Sequence, residues 1–335
     1  MAMVDLSANE NPFGPSPEAV RAIIDGAGIA HRYPDSQGAV LKTALAEALG
    51  VKIDNIVLGN GSSEVIEMTA RALIDDGGEA IIGWPSFPTY RSAVGRAGAA
   101  AVLAPLVDHA YDLDAMAERA DGQTRLVIIG NPNNPTGLAI ARTALDRFLD
   151  RLPPGVVVCI DEAYGEYVGR PDFPNTLDDI AAGRSLVVVR TLSKAYGLAG
   201  LRIGYAIAPE SLACRIDSQR QRFNTNCIAQ AAALAAIRDP DYLARIVALN
   251  AWGRDWLASR LSALGLIFLD SEANFLMVKV GDGARVCREL KEVGLLVKPL
   301  DGLGLPEYIR VSVGRPDENA RFFECLRTTL AGIAS

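Results

Sequence analysis

Short apolar runs rich in β-branched residues punctuate the first two-thirds of the chain: NIVLG (55–59), EAIIGW (79–84), AAVLAPL (100–106), TRLVIIGNP (124–132), VVVCIDEAY (156–164) and SLVVVRTLS (185–193). Their length and composition predict strands that are apolar on both faces. Amphipathic stretches separate them, for example at 64–75 and 143–151. Doubly buried strands spaced by helices predict an α/β fold, a mostly parallel sheet covered by helices. The pattern changes after about residue 235. A long helical stretch at 241–264 leads to ANFLMVKV (273–280), a helix at 284–293, LLVKPL (295–300), YIRVSVG (308–314) and a closing helix at 316–330. Fewer strands of mixed polarity predict a smaller α+β domain. The expected division is an N-terminal arm at 1–30 that packs near the small domain, a large α/β domain at 31–235 and a small C-terminal domain at 236–335.

The ends of the predicted strands are polar. They carry Gly59-Asn60-Gly61-Ser62-Ser63, Asn131-Pro132-Asn133-Asn134, Asp161-Glu162-Ala163-Tyr164 and Ser193-Lys194. Open α/β sheets bind ligands beyond the carboxyl ends of their strands. The chemistry-bearing residues therefore collect at one edge of an apolar sheet.

The chain has 335 residues, of which 50% are hydrophobic and 22% charged. Such a chain buries a large core, so global disorder is excluded. A net charge of -7 with no clustered basic run gives no nucleic-acid footprint. The five cysteines, Cys159, Cys214, Cys227, Cys287 and Cys325, are scattered without a CxxC pair, and the only histidines are His31 and His109. Neither a disulfide framework nor a metal cluster is expected, and reduced cysteines suit the cytoplasm. The first residues, MAMVDLSANENPFGPSP, have no basic start and no apolar core, so a signal peptide is not expected. No apolar run reaches the roughly 18 residues that a membrane helix needs.

Several residues at the polar edge have two readings each. GNGSSE follows a strand and opens a helix, so it is either an ordinary capped helix start or an anion cradle of free N–H groups. It lacks the third glycine of a dinucleotide fingerprint and the lysine of a P-loop. Ser193 and Arg202 could serve the same anion, although a lone arginine more often makes a structural ion pair. Asp161 ends a buried strand, where a carboxylate must be paired: it is either a cap or a partner for a protonated ring nitrogen. Asn134 lies in a turn and Phe87 is by itself a core residue. Lysine, anion cradle, acid and flat aromatic together describe a pyridoxal phosphate site.

The ordered series SANENPFGPSP (7–17), RYPD (32–35), GNGSSEVIE (59–67), WPSFPTY (84–90), NPNNPTG (131–137), DEAYGEY (161–167), RTLSKAYGLAGLRIGY (190–205), ANF (273–275) and IRVSVG (309–314) covers nearly the whole chain. It resembles the fold-type I pyridoxal-phosphate aminotransferases, whose fold is that of aspartate aminotransferase, and among them the histidinol-phosphate aminotransferase family. The resemblance implies that Lys194 forms the Schiff base with the cofactor and shuttles the proton at substrate Cα. It implies that Asp161 pairs with the pyridine nitrogen, that Tyr164 and Asn134 hydrogen-bond the ring oxygen, and that Phe87 stacks on the ring. Gly61, Ser62, Ser63, Ser193 and Arg202 would hold the cofactor phosphate. Tyr33 would reach that phosphate from a neighbouring subunit, which makes the active unit a homodimer. Arg310, Lys298 and Asn9 would bind substrate, an amino donor or a 2-oxo acid.

Three departures bear on the substrate. Lysine stands at 298 where the family usually has an arginine for the substrate phosphate, and lysine lacks the planar fork. Arg315 replaces a threonine. The chain starts close to SANENP, so the segment that covers the substrate and supplies a tyrosine in relatives is expected to be mostly missing. The leading expectation is an aminotransferase using 2-oxoglutarate with histidinol phosphate, an aromatic amino acid or another amine. A lyase like the threonine-phosphate decarboxylases is the first alternative; those tend to carry threonine near the lysine, and RTLSK favours the transaminase. A non-catalytic binding protein is the second, and retention of Lys194 argues against it. His31 reads as a surface residue or a site residue, and RQRFNTN (220–226) as a solvated helix end or a pocket lining. Trp252 and Trp256, four apart, read as packing between domains.

Overall fold

Residues 3–75 and 77–334 are described, in a computed structural model of the chain. Their strands are β1 (Val4–Asp5), β2 (Ile56–Gly59), β3 (Glu79–Trp84), β4 (Ala100–Pro105), β5 (Thr124–Gly130), β6 (Val157–Asp161), β7 (Leu186–Thr191), β8 (Gly204–Ile207), β9 (Phe275–Lys279), β10 (Leu295–Leu296), β11 (Lys298–Pro299) and β12 (Tyr308–Ser312). Seven of them form one sheet in the order β2-β8-β7-β6-β5-β3-β4, parallel except for β8, which runs against both of its neighbours.

Strand alternation sorts the apolar residues of this sheet into two cores. Val127, Ile129, Val158, Ile160, Leu186 and Val188 face one layer of helices. Leu126, Ile128, Val157, Cys159, Val187 and Val189 face the other. Successive residues point to opposite faces, so a strand covered on both sides must be apolar throughout. That explains the unbroken runs of the sequence. Because β2, β5, β6 and β7 share a direction, the segments after Gly59, Gly130, Asp161 and Thr191 all emerge at one edge.

A second sheet, β11-β12-β9, is antiparallel. One face, with Leu276, Val278, Ile309 and Val311, packs on the helices Pro240–Ala263, Gly283–Glu292 and Pro316–Ala334. The other turns its Phe275 onto the ring of Tyr164, edge to face at 5.2 Å. This small sheet thereby roofs the polar edge of the large one. The N-terminal segment is tied to the same roof: β1 pairs in parallel with β10, and Leu6 O accepts from Ser312 N.

Three elements differ from expectation. The run LLVKPL is two strands in two sheets, because β10 pairs with β1 while β11 pairs with β12. Pro299 has no N–H to donate, which confines β11 to an edge. The helix Cys227–Ile237 is alanine-rich and apolar nearly all round, so it shows no period; it is buried against the helix Pro17–Ala27. Residues 220–226 are not a helix end but the turn before this helix, with Asn226 as its N-cap. Trp256 packs on Phe323 within the small-sheet core, whereas Trp252 is 52% exposed.

Candidate active site

The polar edge and its roof enclose a cavity of about 410 Å³. Eleven residues singled out from sequence line it: Asn9, Ser62, Ser63, Phe87, Asn134, Asp161, Tyr164, Ser193, Lys194, Arg202 and Arg310. They come from chain positions as distant as Asn9 and Arg310, and the strand order brings them together.

One end of the cavity is built for an anion. Gly61, at φ +80°, turns the chain after β2 into the helix Ser62–Leu73, and no side chain caps the first turn. The N–H groups of such a turn are open to a ligand. Gly61 is itself outside the lining, but a Cβ there would run into the guanidinium of Arg202. Arg202 sits in the left-handed region at φ +59°, costly for a non-glycine residue. Its guanidinium donates to Ala199 O at 3.0 Å and forms no ion pair among the described residues. Ser193 is held by Thr191, whose hydroxyl donates to Ser193 Oγ at 2.9 Å.

The floor is acidic. Asp161 ends β6 and is 4% exposed. Its carboxylate accepts from the Tyr90 hydroxyl at 2.9 Å and from Ala163 N–H at 3.0 Å, but it forms no ion pair among the described residues. Burial pushes its carboxyl up to about 6, against the pull of those two hydrogen bonds. Phe87, also in the lining, lies edge to face with Tyr90 at 5.7 Å.

Lys194 lies between these ends. Its amine donates to Ala8 O at 3.1 Å and sits 5.8 Å from the Tyr164 ring centre. Burial pulls the ammonium down to about 8; Arg310 and Arg202 add to that, while Glu10 and Asp161 oppose it. Tyr164 accepts from Asn9 Nδ2 at 3.0 Å. Asn9, 1% exposed and at φ +54°, is fixed by its N–H to Ser312 Oγ at 2.9 Å.

The roof supplies a second cation. Arg310, on β12 and 8% exposed, donates to Asn134 Oδ1 and to Ser7 O. Among the described residues its buried Nε has no partner and no acid pairs with it, and burial lowers its pKa.

Besides Gly61, two expected site residues lie outside the cavity. Tyr33 is 82% exposed and stacks on Phe223 at 4.6 Å. Lys298 is exposed; it stands directly across from Arg310 in the β11–β12 ladder and makes no ion pair among the described residues. His31 is on the surface. Conversely, sequence reasoning passed over Tyr90, Thr191 and Glu10, which line the cavity, and Glu162, which anchors Arg190 from behind at 2.8 Å. Tyr90 was signalled by its place one turn after Phe87 in WPSFPTY.

Among the described residues, two arginines without acids and one buried acid without a cation face the same space. That pattern is the inverse of a ligand with two anionic groups and a protonated ring between them. Pyridoxal phosphate bound together with an anionic substrate would fit it, with Arg202 able to take a phosphate, Asp161 a ring nitrogen and Arg310 a substrate anion.

The sheet order and this charge pattern define an α/β enzyme of the aminotransferase type. The family model for aminotransferase class I and II matches residues 2–326, and the chain belongs to that family. It is 40% identical over 331 residues to a histidinol-phosphate aminotransferase of Moorella thermoacetica, covering 98% of this chain and 86% of the relative. It is 45% identical over 327 residues to histidinol-phosphate aminotransferase 2 of Carboxydothermus hydrogenoformans, covering 97% and 90%. The structure is similar to that of histidinol-phosphate aminotransferase from Sinorhizobium meliloti in complex with pyridoxal-5'-phosphate, with a TM-score of 0.90, 29% identity and coverage of 99% and 92%.

Proposed function

We propose that the chain is a pyridoxal-phosphate-dependent transaminase of the histidinol-phosphate type, moving an amino group between histidinol phosphate or an aromatic amino acid and 2-oxoglutarate. The observation that carries this reading is the set of uncompensated charges around Lys194. The names of the two curated relatives support the donor.

Pyridoxal phosphate supplies an aldehyde that takes up the amino group and a ring that withdraws electrons from substrate Cα. The open N–H groups at Ser62 and Ser63, with the Ser193 hydroxyl and Arg202, hold its phosphate. Asp161 keeps the ring nitrogen protonated, and Tyr90 orients Asp161. Tyr164 and Asn134 are the donors for the ring oxygen. Phe87 covers a ring face, an aromatic contact typically adding about 0.5–1.5 kcal/mol beyond burial.

Lys194 is the amine that would hold the cofactor through its aldehyde and would serve as the base for the proton at substrate Cα. A base must be neutral to accept a proton. With its pKa near 8, about half of Lys194 is neutral at pH 8, which an ordinary lysine at 10.5 would not approach. Arg310 grips the carboxylate or phosphate end of the substrate in a two-point contact. Asn9 holds Tyr164, and Lys298 is a second cation toward the substrate anion. Tyr33, exposed on one chain, reaches the cofactor phosphate of a partner in a homodimer. The five free cysteines suit a reducing cytoplasm.

The test is a single turnover on purified holoenzyme without acceptor, given histidinol phosphate, phenylalanine or glutamate in turn. The oxo product is measured by mass spectrometry. Stoichiometric product from histidinol phosphate is expected. Product from none of the three, or product that persists in Lys194→Ala at the wild-type rate, would overturn the reading.

A further inference from the structure

Five charged residues line the cavity: Glu10, Asp161, Lys194, Arg202 and Arg310. The proposed chemistry uses four of them and leaves Glu10 without a part. Glu10 is exposed at the cavity mouth, and its carboxylate makes no hydrogen bond or ion pair among the described residues. Its backbone, by contrast, is tightly placed.

The residues around Glu10 dock on the turn that carries Lys194. Ala8 O accepts from Lys194 Nζ at 3.1 Å, and Asn11 Nδ2 donates to Ala195 O at 3.0 Å. Further along, Gly197, at φ +71°, lies so close to the backbone of Gly14 and Pro15 that a Cβ would clash with both. Between these contacts Asn9 is pinned by Tyr164, Ser312 and Asn274, the last donating to Asn9 O at 3.1 Å. Contacts to residues 194 and 195 thus bracket Glu10 on both sides. An acid whose carboxylate has no partner among the described residues is thus carried beside the lysine's turn by the contacts of its neighbours.

We propose that Glu10 is a positioning residue for Lys194: its carboxylate, near the amine but not paired with it, keeps that amine basic enough to take a proton from substrate Cα. The inference rests on the transaminase reading. The charges facing Lys194 support it. Arg310 on β12 and Arg202 after the turn at 199–201 both drive its proton off; Glu10 and Asp161 hold it on, and Tyr164 offers its ring face. Once Asp161 is matched by a ring cation, Glu10 is the one uncompensated acid left at the amine among the described residues. Without it, two arginines would leave a weaker base. A direct ion pair would fail in the other way, locking the amine as ammonium. An acid at the exposed mouth, screened by water, acts between these limits, with an expected influence of about 0.5–1 pH unit.

The variant is Glu10→Gln, with Glu10→Asp as the charge-retaining control. The first readout needs no cofactor. The chain contains six lysines, so 13Cε-labelled lysine gives a tractable spectrum in which Lys194→Ala assigns the Lys194 signal. In cofactor-free protein, the Lys194 titration is expected to move down by about 0.5–1 pH unit in Glu10→Gln and to stay near wild type in Glu10→Asp. In holoenzyme, the rising limb of kcat with pH should move down by a similar amount, with KM for the amino donor within about two-fold of wild type. A Lys194 titration that does not move overturns the proposal, as does a shift that appears without cofactor yet leaves the kcat limb in place. A raised KM with an unmoved limb also overturns it and makes Glu10 a donor contact. Should wild type turn over none of the donors, the transaminase reading fails, while the cofactor-free titration still decides whether Glu10 acts on Lys194.

Discussion

Replacing Asp161 by asparagine is expected to stabilise the cofactor-free chain at neutral pH while removing the charge on which the site depends. The carboxyl ordinarily titrates at 3.8 and in the fold at about 6, because burial disfavours its ionised form. Below 3.8 the group is protonated in both folded and unfolded chains, and burial costs nothing. As pH rises, the unfolded chain ionises first, and the stability that came from keeping the proton is lost progressively until pH passes the folded value. Above both values the shift of 6 − 3.8 = 2.2 units amounts to about 3 kcal/mol of destabilisation at roughly 1.36 kcal/mol per unit. Asparagine has nothing to ionise and escapes this cost. Its amide oxygen still accepts from Ala163 N–H, and the Tyr90 hydroxyl can turn to accept from Nδ2. An unfolding entropy of about 2.1 cal/mol/K per residue, over this chain, converts 3 kcal/mol into about 4 °C. Differential scanning calorimetry of cofactor-free Asp161→Asn should therefore show a Tm about 4 °C above wild type at pH 7.5. At pH 4.5, where only about 1 kcal/mol of the cost has accrued, the gain shrinks to about 1 °C. Added pyridoxal phosphate should raise wild type more than the variant. No gain at pH 7.5, or an equal gain at both pH values, would refute the claim that Asp161 is a buried charge awaiting a counter-ion.

Arg202→Ala should weaken pyridoxal phosphate binding by about 10- to 100-fold, the range for one charge-assisted hydrogen bond, as read by fluorescence titration; unchanged affinity would remove Arg202 from the phosphate end. Glu162, 1% exposed, accepts from Thr176 at 2.7 Å and pairs with Arg190 at 2.8 Å. Glu162→Gln should cost about 3–5 kcal/mol and lower the Tm by about 4–7 °C, because it strands a largely buried guanidinium; replacing both residues by apolar ones should recover most of the loss.

The parts of this molecule that were legible in its sequence are those where one residue's surroundings follow from its neighbours in the chain. Val187 and Val188 must be apolar because their strand is covered on both faces, so the run announces the strand without knowledge of what covers it. β8 and the helix Cys227–Ile237 escape this rule. The first continues directly from a glycine-rich turn, and the second is apolar on every side and so has no period to read. The split of LLVKPL depends on β1, a partner almost three hundred residues away. The site divides in the same way. Lys194, Asp161 and Asn134 lie at strand ends within recognisable motifs, whereas Tyr90 matters because its hydroxyl reaches Asp161 from another element. Glu10 is further still from local logic: its setting exists only because residues 8 and 11 touch 194 and 195. What the three-dimensional arrangement adds is therefore the charge balance. Among the described residues Arg202 and Arg310 find no acid and Asp161 finds no cation, although the chain has acids and bases enough to pair each of them. Leaving these charges unmatched around one cavity costs stability, and the cost is intelligible only if a ligand of opposite pattern offsets it.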